Sequence, residues 1–108
     1  MIDQSMNLNI YWHHFSPERW DREIVAIYQA TEGWLGFGPK GVAANPGLPY
    51  WFSFLEEEKH VLASIEPAGL HFSARMEDEE WEVWKRQFKW VATQRLGFRV
   101  GELEEDEG

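Results

Sequence analysis

The chain contains no cysteine, which excludes a disulfide framework, a thiolate metal site and a thiol nucleophile. No stretch approaches the roughly eighteen apolar residues of a membrane-crossing helix. The opening, Met1-Ile2-Asp3-Gln4-Ser5-Met6, has neither the basic start nor the apolar run of a leader, so a cytoplasmic protein with no membrane partner is expected. Positive charge is scarce too: ten Lys and Arg stand against nineteen Asp and Glu, a formal net charge of -9. That balance repels phosphate, and no stretch gathers Lys and Arg on one face, so nucleic acid is not an expected partner. Five of the acids are Glu102, Glu104, Glu105, Asp106 and Glu107. Residues 102–108 therefore read as an acidic C-terminal tail on a single domain spanning 1–101.

What the chain has in quantity is aromatic area. Its 108 residues make one domain, and seven Trp, seven Phe and three Tyr supply enough apolar surface for a core without covalent staples. Leu8, Ile10 and Trp12 alternate with Asn9, Tyr11 and His13, which predicts a strand over 7–15. Ser16-Pro17-Glu18 is a helix start, and Trp20, Ile24, Ile27 and Tyr28 recur at helical spacing until Gly33, which predicts a helix over 17–32. Residues 33–49, rich in glycine and proline, read as a long loop.

Three strands are predicted next, over 50–55, 60–66 and 70–75, joined by short links that imply antiparallel neighbours. Pairing Ile65 with Leu70 and Leu55 with His60 puts Tyr50, Phe52, Phe54, Val61, Ala63, Ile65, Leu70, Phe72 and Ala74 on one face. A second helix over 78–96 carries Trp81, Trp84, Phe88, Val91 and Ala92 on its apolar stripe, with acids at its start, bases further along and Gly97 as its stop. A last strand is expected over 98–103. The order β-α-β-β-β-α-β, with two amphipathic helices, predicts an α+β two-layer sandwich: two helices on one face of a mainly antiparallel sheet of about five strands.

The same register leaves Trp51, Ser53, Leu55, His60, Leu62, Ser64, His71, Ser73 and Arg75 on the other face, joined by Tyr11, His13 and Phe15. Trp51, Ser64 and His71 then line up across three strands, an aromatic, a hydroxyl and an imidazole within reach of one ligand. Phe37 and Lys40 could cap that face from the loop. Letters matching a dinucleotide fingerprint, Gly36-Phe37-Gly38-Pro39-Lys40-Gly41, follow a helix rather than a strand, so a phosphate cradle is not expected. His13 and His14 are adjacent, and on a strand their side chains diverge, which argues against a shared metal. A Ser64–His71 dyad lacks an acidic third member and a strained nucleophile turn.

The candidate binding residues are therefore Tyr11, His13, Trp51, Ser64, His71, Arg75, Phe37 and Lys40, with no catalytic residue, metal or cofactor assigned. They point to a non-enzymatic, acidic interaction module that binds a partner protein or a second copy of itself through an aromatic open sheet face. A basic partner suits the charge, as when an immunity protein neutralises a nuclease toxin. The alternative is a small-molecule or enzymatic pocket on the same face built from His71, Ser64 and Trp51.

Overall fold

The computed structural model describes residues 1–103. Two helices, α1 (Pro17–Ala30) and α2 (Asp78–Leu96), cover one face of a five-stranded antiparallel sheet. The strands are β1 (Ile2–Leu8), β2 (Trp34–Phe37), β3 (Pro49–Trp51), β4 (His60–Glu66) and β5 (Gly69–Met76), and their order across the sheet is β1-β5-β4-β3-β2. This is the expected α+β sandwich. No helix among the described residues is long and apolar enough to cross a membrane.

Each helix is bounded by the chemistry that its sequence carries. Ser16 Oγ accepts the Arg19 amide N–H at 3.2 Å, and Pro17 occupies the first turn, where its missing N–H costs nothing. Gly97 ends α2 in the left-handed conformation at φ 84°. Carbonyls at and just beyond the end of α1 are met by core side chains: the Trp51 indole donates to Tyr28 O at 3.2 Å, and the Trp84 indole to Glu32 O at 2.9 Å. One hydrogen-bond set thus ties α1 to the sheet and to α2. Around it Trp51, Phe72, Trp84 and Phe88 pack as an aromatic centre, with the Phe72 and Phe88 ring centroids 4.8 Å apart.

The β4–β5 register is the expected one, with Ile65↔Leu70, Ala63↔Phe72 and Val61↔Ala74. The β3–β4 register is not. Tyr50 pairs with Leu62 and Trp51 with Val61, so the register position opposite Ala63 belongs to Pro49 and not to Phe52. The shift is odd, and an odd shift turns every side chain of a strand to the other face. Trp51, expected on the open face, is fully buried under the helices, while Tyr50 lies on the far side. The cause is a short β3. Phe52 takes φ 72°, a conformation that bulky side chains rarely adopt, and the chain leaves the sheet there for a turn over 52–59. That turn is held by Ser53, whose hydroxyl donates to Glu58 and accepts the Leu55 N–H.

Other boundaries moved as well. The first strand lies at Ile2–Leu8, and Trp12–His14 form a single 3-10 turn. Part of the predicted loop is β2, and the predicted strand over 98–103 reduces to an isolated bridge between Leu8 and Glu102. Glu102 and Leu103 are nevertheless held. Lys89 Nζ donates to Glu102 at 2.8 Å, and Leu103 N to Asn7 O at 3.0 Å. Residues 104–108 of the acidic stretch lie outside the described residues.

Candidate functional site

The face turned away from the helices divides into two parts. Over β3 and the adjoining half of β4 it is covered, because Ala43, Leu48 and Phe54 pack on Tyr50 and Leu62 as a second small core. Tyr50 pins both covering loops: its hydroxyl accepts the Asn45 N–H at 3.2 Å and donates to Glu56 at 2.9 Å. Burial first, and then the Glu56 carboxylate, push the Tyr50 phenol above its ordinary value. This half is structural.

The other half, over β1 and β5, is polar. Asn7, His71 and Ser64 share one row, and Asp3, Arg75 and His60 another. His71 Nδ1 lies 2.8 Å from Asn7 Oδ1, which assigns the ring proton to Nδ1, and the Ser73 hydroxyl reaches Nε2 at 3.4 Å. Ser64 is engaged elsewhere, donating to Glu66 at 3.2 Å. The order Ser73–His71–Asn7 resembles nucleophile, base and orienting group, yet all three stand mid-strand. The alternation of the ladder commits the Ser73 amide to β4, so it cannot serve an oxyanion formed at its own hydroxyl. Arg75 Nε is enclosed without a hydrogen-bond partner among the described residues.

The remaining predicted site residues are dispersed. His13 lies on the 3-10 turn beside His14, their rings edge to face with centroids 4.6 Å apart and Tyr11 against both. Their expected divergence fails because the segment is not a strand. Still, no group of three His, Asp or Glu among the described residues is placed to hold a metal. Lys40 is exposed in the loop, and Phe37 stands at the end of β2. The structure thus joins His71 to Asn7 and Ser73 but separates it from Trp51, which is on the opposite side of the sheet.

An apolar concavity next to the sheet lies elsewhere, between α1 and the end of β4. A cavity of about 370 Å³ is lined by Trp20, Ile24 and Tyr28 of α1, by Leu48 and Pro49, and by Ala63–Ile65. A second, of about 300 Å³, continues from it beneath Trp12, Phe15 and Pro17, and the two share Trp20, Asp21 and Ile65. Trp12, Phe37 and Ile65 are each about half exposed along this groove, at 51%, 49% and 50%. Sequence reasoning placed Trp12 and Ile65 on core faces. Ile65 does point to the helix side, but it lies beyond the end of the helical cover. The signal that could have exposed this was Pro49, which has no N–H to donate and so stands at the first residue of a strand.

The chain matches no family model, and neither a curated protein nor a solved structure shows significant similarity to it.

Proposed function

We propose that this chain is a small acidic cytoplasmic interaction module that docks a partner protein in the groove between α1 and the end of β4. The observation that carries this reading is the groove itself: three large apolar side chains half exposed around two connected cavities. Scattered exposed apolar residues are ordinary, whereas a contiguous concave set marks a contact surface. The polar sheet face around His71 supports the role less well, since its aromatic member is buried and its hydroxyls are already engaged. The net charge of -9 favours a basic partner, as for an inhibitor of the immunity type.

The test begins with light scattering over a concentration series on wild type and Ile65→Glu, a change at an exposed site that leaves the core intact. Tagged forms of both are then used to recover partners from the native host. A monomer that retains one basic protein, lost in the variant, supports the reading. A wild-type dimer abolished by Ile65→Glu makes the partner a second copy. If wild type and variant behave alike in both assays, the groove is not the docking surface.

A further inference from the structure

A separate cavity lies between the start of α2 and the turn over 52–59, and it shares no residue with the docking groove. Its volume is about 300 Å³, and its apolar wall is made of Phe52, Met76, Val83 and Trp84. Met76 and Trp84 are buried, whereas Val83 is exposed. The Phe52 ring is brought to this wall by a backbone φ of 72° and lies against Gly33.

The charged part of the lining is lopsided: Glu32, Glu79 and Glu80 stand against a single cation, Lys59. Two of these acids are explained without a ligand, because Glu79 and Glu80 occupy the first turn of α2, where the helix dipole favours negative charge. Glu32 is different. It follows the C-terminal cap of α1, where that helix's dipole disfavours a carboxylate, and among the described residues its side chain has no ion pair or hydrogen bond.

The chain itself shows what this lining accepts. Lys59 Nζ stands 4.5 Å from the centroid of the Phe52 ring and pairs with Glu80, so one ammonium meets both an aromatic face and a carboxylate. That lysine is loosely held. Its side chain is 39% exposed and that of Glu80 47%, and an ion pair so open to water contributes little. An ammonium from outside can take the same position if its apolar body also fills the space that the lysine stem leaves empty.

We infer that this cavity binds a small organic cation, a primary ammonium on an unbranched apolar body of about six carbons. The ligand's ammonium displaces that of Lys59 between Phe52 and Glu80, and its carbon chain lies against Met76, Val83 and Trp84. Glu32 and Glu79 keep the cavity negative and turn anionic ligands away. Lys59 is thus a tethered competitor, so removing it strengthens binding. The site stands or falls independently of the docking role proposed above.

The probe is hexylammonium chloride, titrated into the full chain while the Trp84 indole and the Phe52 and Val83 amides are followed by NMR. Hexanol supplies the body without the charge, and methylammonium the charge without the body. Each should bind at least about tenfold more weakly than hexylammonium. Lys59→Ala should tighten hexylammonium binding by about threefold or more, while Lys40→Ala, an equal change of net charge in the exposed loop, leaves it within about twofold. Adding Glu80→Gln to Lys59→Ala should reverse the gain, by a factor that shrinks in high salt.

Equal binding of hexanol would reduce the site to an apolar hole, and equal binding of methylammonium would reduce it to general attraction of cations by an acidic chain. Either overturns the inference. So does a Lys59→Ala variant that binds no better than wild type, or no better than Lys40→Ala. Tighter binding of a lysine blocked at both ends than of hexylammonium would assign the ammonium to a partner's side chain, against a free small ligand. If hexylammonium shifts none of these signals in wild type or in Lys59→Ala at roughly 50 mM, the cavity takes no amine.

Discussion

The two ends of β4 are built from the same strand but treated in opposite ways. At Val61 and Leu62 the strand is paired on both sides and covered on both faces, by Trp51 and Trp84 on one and by Tyr50 and Ala43 on the other. β3 ends opposite Ala63, so Ser64–Glu66 have no β3 residue in register, and exposure rises from none at Ala63 to half at Ile65. Two interruptions confine β3 to the closed end: Pro49 withholds a donor on one side, and Phe52 turns the chain away at φ 72° on the other. A fold can leave a stretch of edge open when the neighbouring stretch carries the stability. The closed end should then govern unfolding, and the open end should be nearly free to change.

The sharpest way to break this comparison is to truncate one aromatic at each end. Trp51→Ala removes a fully buried indole and its hydrogen bond to α1, and should cost about 3–5 kcal/mol, a large share of the about 5–15 kcal/mol that holds a typical domain folded. Ile65→Ala should cost no more than about 1 kcal/mol, since half of that side chain is already in water. Urea denaturation followed by far-ultraviolet circular dichroism separates the two, and equal losses would mean that β4 is one cooperative unit without an open end.

A smaller effect is expected at the exit of β3. Gly33 has φ +91°, and a Cβ there would lie 2.6 Å from the Phe52 ring, the side chain that Lys59 covers with its ammonium 4.5 Å from the centroid. Gly33→Ala should therefore destabilise by about 1–3 kcal/mol through strain and displacement of that ring. A neutral result in the same denaturation assay would show that the turn over 52–59 yields freely and does not help to end β3.

Alkaline pH sharpens the comparison without mutation, because two tyrosines pack against the closed end, Tyr28 on Trp51 and Tyr50 on Leu62. Burial raises the Tyr28 phenol well above its ordinary 10.0, and burial with Glu56 raises Tyr50. Unfolded tyrosine releases its proton near 10, whereas these hold theirs while folded. The stability they contribute is fully present below that value and is lost as the pH rises above it. Tyrosinate absorbance should therefore show two phenols ionising together with loss of structure. Smooth ionisation of all three tyrosines in a folded protein would contradict the burial that defines the closed end.

How much of this the sequence foretold depended on which residues fix a register. The β4–β5 hairpin was legible because Pro67-Ala68 leaves one turn length compatible with two apolar faces. Both helices were legible from Ser16-Pro17, Gly97 and their apolar stripes. The β3–β4 register was not, since Phe52 and Phe54 read equally well as strand residues, and nothing local announces that Phe52 will take a positive φ. One odd shift moved Trp51 into the core and with it the leading candidate for the site. β1 was expected too late in the chain for a different reason: Asp3, Gln4 and Ser5 hide its alternation, and its buried residues are only Met6 and Leu8. The groove was invisible because it depends on where the helical cover ends, which periodicity cannot state.

The smallest expected effect is the one that places Trp12. Its spacing after Leu8 and Ile10 assigns it to the core, yet the 3-10 turn carries it out over the groove, half exposed, where it lines the smaller cavity with Phe15 and Pro17. A core indole would cost several kcal/mol to remove, whereas an exposed one at a docking surface should change stability by no more than about 0.5 kcal/mol in Trp12→Ala. The same variant should weaken capture of the partner, because half-exposed Trp at the rim of an apolar groove is the kind of residue on which contact energy concentrates. Unchanged stability with lost binding fits a groove held open for a partner. Lost stability would instead make the 3-10 turn part of the closed core, and the division of β4 into two ends would then stop short of α1.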